Sequence, residues 1–72
     1  MQDKFSLGGK LIRETEKALL IRVVEIEGEE LPVPKEEWFP KTQVTDQRLS
    51  DDPEELDKFE AKRWIMEGKK LI

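Results

Sequence analysis

The stretch Ala18-Leu19-Leu20-Ile21-Arg22-Val23-Val24-Glu25-Ile26 is the longest apolar run in the chain, and it is rich in β-branched residues. On the two-residue repeat of a β-strand, one face carries Ala18, Leu20, Val24 and Ile26, and the other carries Leu19, Ile21 and Val23. A strand that is apolar on both faces is covered on both sides. The run therefore predicts a doubly covered central strand over residues 18–26, to which the other strands attach.

Upstream of this strand, residues 3–14 form a second extended segment that is interrupted by Gly8-Gly9. Paired glycines mark either a bulge in one bent strand or the turn of a hairpin. Both interpretations fit the sequence, and we prefer the bent strand because small barrels turn corners in this way. Residues 15–17 then make a short polar connection into the central strand.

Downstream, Gly28 supplies the positive φ of a hairpin turn, and residues 30–34 predict a third strand with Leu31 and Val33 facing inward. Prolines occupy the alternate positions of this strand, at 32 and 34. Because proline cannot donate to a ladder, we expect this edge of the strand to be free or bulged. The extended pattern resumes at residues 38–44.

The carboxy-terminal part predicts a helix over residues 53–67. Asp52-Pro53-Glu54-Glu55 combines an N-cap, a proline suited to the first helical position and a capping-box glutamate, and Gly68 ends the helix. Apolar residues on one helical arc are Leu56, Phe59, Trp64 and Met66, with Ala61 and Ile65 outside it. We expect Trp64 to hold this helix against the sheet.

These elements predict one small domain, residues 1–72, of the α+β class and mainly β. We expect three to four antiparallel strands in a curved sheet or small OB-like β-barrel, plus the one carboxy-terminal helix. The small core and the open edge of the third strand favour a homo-oligomer, with a dimer as the first expectation.

The composition argues against an enzyme. The chain has no histidine and no cysteine, so the usual ligands of zinc, iron and copper are missing, and we predict no metal site and no cofactor. Nucleophile-elbow and phosphate-loop motifs are missing too, and we predict no catalytic residues. Charged residues make up 42% of the chain, and no asparagine occurs. This combination is typical of thermophilic proteins.

The charge is acidic overall and unevenly distributed. The net charge of −4 argues against tight nonspecific binding to nucleic acid. Residues 1–24 and 61–72 are nevertheless net basic, and the acidic groups are concentrated in residues 25–37 and 51–60. No apolar window is long enough to span a membrane and the amino end lacks a signal-peptide pattern, so we expect no membrane association and a cytoplasmic location.

Trp38 and Phe39 are neighbours in an extended segment, so they point to opposite faces of the sheet. One of them belongs to the core, and the other lies at the surface or under a second layer. An outward Trp38 near several cations would be a platform for base stacking. The cations expected around it are Lys10, Arg13, Arg22 and Lys41. For Arg22 two interpretations stay open, a salt bridge to Glu14 or Glu30 and a phosphate contact.

Three segments of the chain resemble small phage and prokaryotic proteins that are mostly uncharacterised. Residues 14–21 resemble their E-T-E-K-A-hydrophobic-hydrophobic opening, residues 38–44 resemble W-x-P-K-S-Q-I, and residues 63–72 are similar to a closing E-W-L-x-x-K-K-G-L segment. The resemblance implies a small β-rich domain with a carboxy-terminal helix, a phage origin and no catalytic residues. Its architecture is analogous to the small barrels of viral single-stranded-DNA-binding proteins. This chain differs in a longer segment before Trp38 and in a capped helix before Trp64, where those proteins often continue a strand.

The leading functional prediction is a viral or phage accessory protein that binds single-stranded DNA or RNA, in the host cytoplasm if viral. Trp38 would stack on bases, and the basic residues Lys10, Arg13, Arg22 and Lys41 would contact phosphates. The alternative is an acidic protein-interaction module, for example a phage factor that binds a host protein. It would use the acidic start of the predicted helix or the open strand edge.

Overall fold

The computed structural model describes residues 2–72, which form a five-stranded antiparallel sheet followed by a short helix. The elements are β1 (Lys4–Glu14), β2 (Ala18–Ile26), β3 (Glu29–Pro40), β4 (Val44–Arg48), β5 (Asp57–Lys62) and α1 (Arg63–Gly68), with a single 3₁₀ turn at Lys41–Gln43 between β3 and β4. The mainly β class and the carboxy-terminal helix match the prediction, and the strand count is higher. No helix in residues 2–72 combines the length and the apolar character needed to cross a membrane.

The strand order is β3-β2-β1-β5-β4, so β1 is the middle strand of the sheet and β2 is its neighbour. Residues 18–26 form a strand with the predicted bounds. The edge strands β3 and β4 are joined by only the three residues of the 3₁₀ turn. Four Cα–Cα steps span at most about 15 Å, so the sheet must curl until its two edges come close at this corner. Within residues 2–72 the two edges form no ladder, and the sheet is curved and open rather than a closed barrel.

β1 is a single bent strand, as preferred from the sequence. Its ladder with β2 runs Gly8↔Glu25 and then Gly9↔Val23, which leaves Val24 as an extra residue on β2. A Cβ atom at Gly9 would overlap the carbonyl oxygen of Arg22, so only glycine permits this close approach of the two strands. The glycine pair therefore marks the bend and is not a hairpin turn.

Residues 18–26 are not the central strand, because β1 holds that position, and they are covered on one face only. Leu19, Ile21 and Val23 are fully buried, whereas Leu20 on the other face is half-buried and Arg22 is exposed. The prediction of cover on both faces was wrong because α1, the only element outside the sheet with a full helical turn in residues 2–72, joins the core on the side of Leu19, Ile21 and Val23. We call the buried side of the sheet the inner face and the other side the outer face.

The inner face and the end of the chain make one apolar core. Its buried members are Leu7, Leu19, Ile21, Val23, Ile26, Phe39, Phe59, Ala61, Ile65, Met66 and Leu71. Ile26 belongs to this face because the extra residue Val24 shifts the alternation by one position. The core thus joins four strands to the helix and the residues after it.

The turn between β2 and β3 has positive φ at both Glu27 (53°) and Gly28 (79°), as a type I′ hairpin requires. The Glu27 carboxylate accepts hydrogen bonds from the Ser6 backbone N–H, at 2.6 Å, and from the Gln2 side chain. The Ser6 N–H, followed by the Gln2 amide, lowers the pKa of Glu27. The predicted hairpin is therefore fastened to β1 by its own turn residue.

The proline-containing segment bulges out of β3. The β2–β3 ladder runs Val23↔Lys35 and then Glu25↔Glu30, so residues 31–34 stand opposite a single residue of β2. Leu31 packs against the core as expected. Val33 is 66% exposed, which contradicts its predicted inward position, because the bulge carries it away from the sheet.

The predicted helix over residues 53–67 is wrong in its first ten residues. Asp52 makes the expected local hydrogen bonds, from Glu54 N to its Oδ1 at 2.9 Å and from Glu55 N to its carbonyl at 3.0 Å, but the chain makes only a turn there. Residues 57–62 then form β5, because Asp57, Phe59 and Ala61 alternate as the buried side of a strand beside β1.

Candidate nucleic-acid interface

Trp38 lies on the outer face, where three strands bring apolar and basic side chains side by side. It stands opposite Leu20 of β2, and Leu20 stands opposite Arg13 of β1. Directly opposite residues in antiparallel strands share a face, so the three side chains form one row across the sheet. Trp38 is 40% exposed and its neighbour Phe39 is 0% exposed. The strand therefore separates the two aromatic rings, with Phe39 in the core and Trp38 outside.

The next row on the outer face is Lys10, Arg22 and Glu36. Arg22 donates from Nε and Nη2 to Oε2 of Glu36, at 3.1 and 2.9 Å. The expected salt bridge of Arg22 thus exists, but its partner is Glu36 and not Glu14 or Glu30. Both side chains are about half exposed, and an ion pair in such a position contributes about 0–1 kcal/mol.

Lys10 and Arg13 differ in what holds them. The Lys10 ammonium donates to the backbone carbonyl of Glu55, so it ties β1 to the loop before β5. Arg13 is exposed, and within residues 2–72 it has no ion-pair partner and no side-chain hydrogen bond. The Arg13 guanidinium can therefore bind an anion without first giving up a carboxylate partner from residues 2–72.

Lys41 stands apart from the other predicted cations. It lies in the 3₁₀ turn, its ammonium contacts Oε2 of Glu14 at 2.6 Å, and its backbone N–H donates to the carbonyl of Lys17 at 2.9 Å. These contacts fix it at the corner of the sheet, in the turn after β3 and outside the Trp38 row. The structure therefore brings together Trp38, Arg13, Arg22 and Lys10, and it leaves Lys41 outside this set.

Two outer-face residues were not predicted as parts of the site. Leu20 supplies the apolar floor between the indole of Trp38 and the guanidinium of Arg13, and Glu36 neutralises Arg22. The alternation of residues 18–26 already placed Leu20 on the face opposite to Ile21, so the sequence held this signal. Glu36 gave none, because the bulge of residues 31–34 decides which residues of β3 face β2.

A buried carboxylate, that of Asp57, lies opposite Gly9 of β1 and close enough to Lys10 to feel its charge. Asp57, 7% exposed, accepts hydrogen bonds from the backbone N–H groups of Leu11 at 3.0 Å and Ser50 at 2.9 Å. Burial raises the pKa of Asp57, but these two hydrogen bonds and the Lys10 charge outweigh it, and the net pKa is lowered. Asp57 is thus a charged group that is satisfied by backbone donors and that joins the loop to β1.

Nothing in residues 2–72 groups three or more carboxylates in a way that could hold a metal ion. Comparison with known proteins found no matching family model, no similar curated protein and no similar solved structure.

Proposed function

We propose that this chain binds single-stranded nucleic acid on the outer face of β1, β2 and β3. A base would stack on the Trp38 indole, and backbone phosphates would contact Arg13 and Arg22, with Lys10 beside them. The observation that carries the proposal is an indole left 40% exposed in one row with an arginine that has no partner among residues 2–72. Stacking of this kind contributes about 1–3 kcal/mol per base and tolerates any sequence.

The charges set the expected strength and salt dependence. Arg22 must exchange Glu36 for a phosphate, and this exchange costs little because the pair is half exposed. Three phosphate contacts to a single strand give a slope of about −2 in a plot of log K against log salt concentration. Because the whole chain has a net charge of −4, we expect weak binding that is confined to low salt.

The acidic interaction module is the competing proposal, and its strand-addition form is disfavoured by β3. A partner strand needs an uninterrupted edge, and residues 31–34 bulge out of the middle of this one. Its prolines at 32 and 34 also provide no N–H group. Self-association through the same edge meets the same obstacle, and the predicted dimer stays a prediction that light scattering tests.

The test is a fluorescence-anisotropy titration of a labelled oligothymidylate of about 12 nucleotides, at about 20 mM and about 200 mM salt. We expect Trp38→Ala to weaken binding about 5- to 150-fold, the equivalent of one lost stacking contact. Arg13→Ala should weaken it less and reduce the salt slope by about 0.7.

Lys41→Ala is the matched control, because it removes a cation that lies off the interface and is already paired with Glu14. We expect its affinity to equal that of the wild type. No anisotropy change with the wild-type protein at low salt would contradict the proposal. So would equal losses in Lys41→Ala and Arg13→Ala, since the effect would then reflect total charge and not this face.

A further inference from the structure

A second exposed indole, that of Trp64 in α1, lies at the opposite end of β1 from Trp38. Trp64 is 58% exposed, although its helix neighbours Ile65 and Met66 are buried in the core. It borders an open cleft of about 400 Å³. The cleft is lined by Asp3, Lys4, Lys62, Arg63, Trp64 and Glu67. The sequence suggested that Trp64 packs the helix on the sheet, and instead the indole forms a wall of this cleft.

Two like charges face each other beside this indole. Lys4 and Lys62 stand directly opposite in the β1–β5 ladder, an arrangement that destabilises a sheet unless an anion lies between the charges. Lys4 has one distant partner, Glu60 at 3.8 Å, and Lys62 has no ion-pair partner within residues 2–72. The pair therefore offers two weakly compensated positive charges to an anionic ligand.

The remaining charges of the cleft limit what that ligand is. Arg63 is already paired with Glu67 at 3.1 Å, and Asp3 adds a second carboxylate. Three cations and two carboxylates give a net charge of +1. This balance suits a phosphodiester with one negative charge next to a base, rather than a nucleotide with several negative charges.

The outer side of β1 connects this cleft with the Trp38 row. Every second residue of β1 faces the outer side, which places Lys4, Ser6, Gly8 and Lys10 there. A bulge at Ile12 then shifts the alternation by one residue, so Arg13 faces the same side. The ten strand residues from Lys4 to Arg13 span up to about 30 Å, a length that suits a bound single strand of several nucleotides. At Gly8 the Glu25 side chain covers the strand and pairs with Lys58 at 2.7 Å, so a bound single strand would pass over this ion pair.

From these observations we propose that one single strand of nucleic acid lies along the outer side of β1, with one base on Trp38 and another on Trp64. The phosphodiester next to the second base lies between Lys4 and Lys62. This inference rests on the proposed function, because it extends the same ligand to a second platform.

The chain has two tryptophans, so a Trp38→Phe variant carries Trp64 as its sole indole. We expect saturation of this variant with oligothymidylate of about 12 nucleotides to quench the Trp64 emission. In the anisotropy titration, Trp64→Ala should weaken binding about 5- to 150-fold, and Lys62→Ala should weaken it and reduce the salt slope. Trp64 is exposed, so circular dichroism should show an intact fold in both variants.

Lys35→Ala is the matched control, since Lys35 stands opposite the buried Val23 and thus off the outer face. Its affinity should stay that of the wild type. One outcome would overturn the second platform and leave the first: the wild type binds and Trp38→Ala weakens binding, but the Trp64 emission is not quenched and Trp64→Ala binds as the wild type does. If the wild type does not bind at all, both proposals fail.

Discussion

The two faces of β2 and β3 differ in what their side chains do, and Trp38 and Phe39 mark the difference. Phe39 is sealed in the core, and the adjacent Trp38 lies outside beside Leu20 and Arg13. Because successive strand residues alternate, one short strand holds a residue for folding next to a residue for contact with a ligand. In a domain this small, the outer face can vary in chemistry without removing the apolar area that stabilises the fold.

The strongest test of this difference between the two faces is to truncate Phe39 and Trp38 separately and compare the losses of stability. Phe39→Ala should lower the free energy of unfolding by about 3–5 kcal/mol, because a fully buried ring leaves a cavity. Trp38→Ala should lower it by about 1–2 kcal/mol, because only part of the indole is covered. Urea denaturation followed by circular dichroism measures both. Similar losses in the two variants would contradict the assignment of the faces.

The paired glycines at the bend of β1 give a second test, because an added Cβ meets backbone at Gly9 and a side chain at Gly8. Gly9→Ala should destabilise by about 2–3 kcal/mol, because its Cβ meets the backbone of Arg22 and the strands must separate. At Gly8 the nearest atom is Cγ of the Glu25 side chain, 2.5 Å from the added Cβ, and a side chain can move away. Gly8→Ala should therefore cost about 1 kcal/mol or less. The shift of the urea midpoint compares them, and an equal cost would show that the bend does not depend on close strand approach.

Two carboxylates extend the comparison to polar groups. Asp57→Asn should cost about 1–3 kcal/mol, since one of two buried backbone donors loses its acceptor, whereas Glu36→Gln on the outer face should cost less than about 1 kcal/mol. Because the pKa of Asp57 is lowered in the fold, its contribution is present above its ordinary pKa and is lost as the pH falls through the folded value. The difference between wild type and Asp57→Asn should thus shrink in acid. A constant difference between pH about 7 and about 3 would contradict this role of Asp57.

The sequence predicted well where a local pattern agrees with the contacts that the segment makes. Residues 18–26 combine a long apolar run with β-branched side chains, and Gly28 follows at once, so the bounds of β2 and the turn are correct. The adjacency of Trp38 and Phe39 predicted that one ring lies in the core and the other outside, and the structure shows that Trp38 is the outer one. The alternation also placed Arg22 on the outer face next to Leu20, and Lys10 and Arg13 came to the same face through the register of β1.

The errors arise where distant contacts override a local signal. The capping residues at 52–55 form the hydrogen bonds of a helix start, yet Phe59 and Ala61 gain more by pairing with β1, which lies about fifty residues earlier. The two residues that did not fit the helical arc, Ala61 and Ile65, were the available warning. Trp64 was misplaced for the same reason, because the real helix begins at Arg63 and presents a different side to the core.

The central position of β1 has a consequence for the order of events during synthesis. β2 follows β1 within a few residues, but β5, which completes the other side of β1 from Lys4↔Lys62 to Gly9↔Asp57, is translated last among the strands. A nascent chain can therefore close the β1–β2–β3 meander early, while the opposite edge of its middle strand stays unpaired. Until the ribosome has released residues 57–62, that edge is the place where the growing chain is most open to wrong partners.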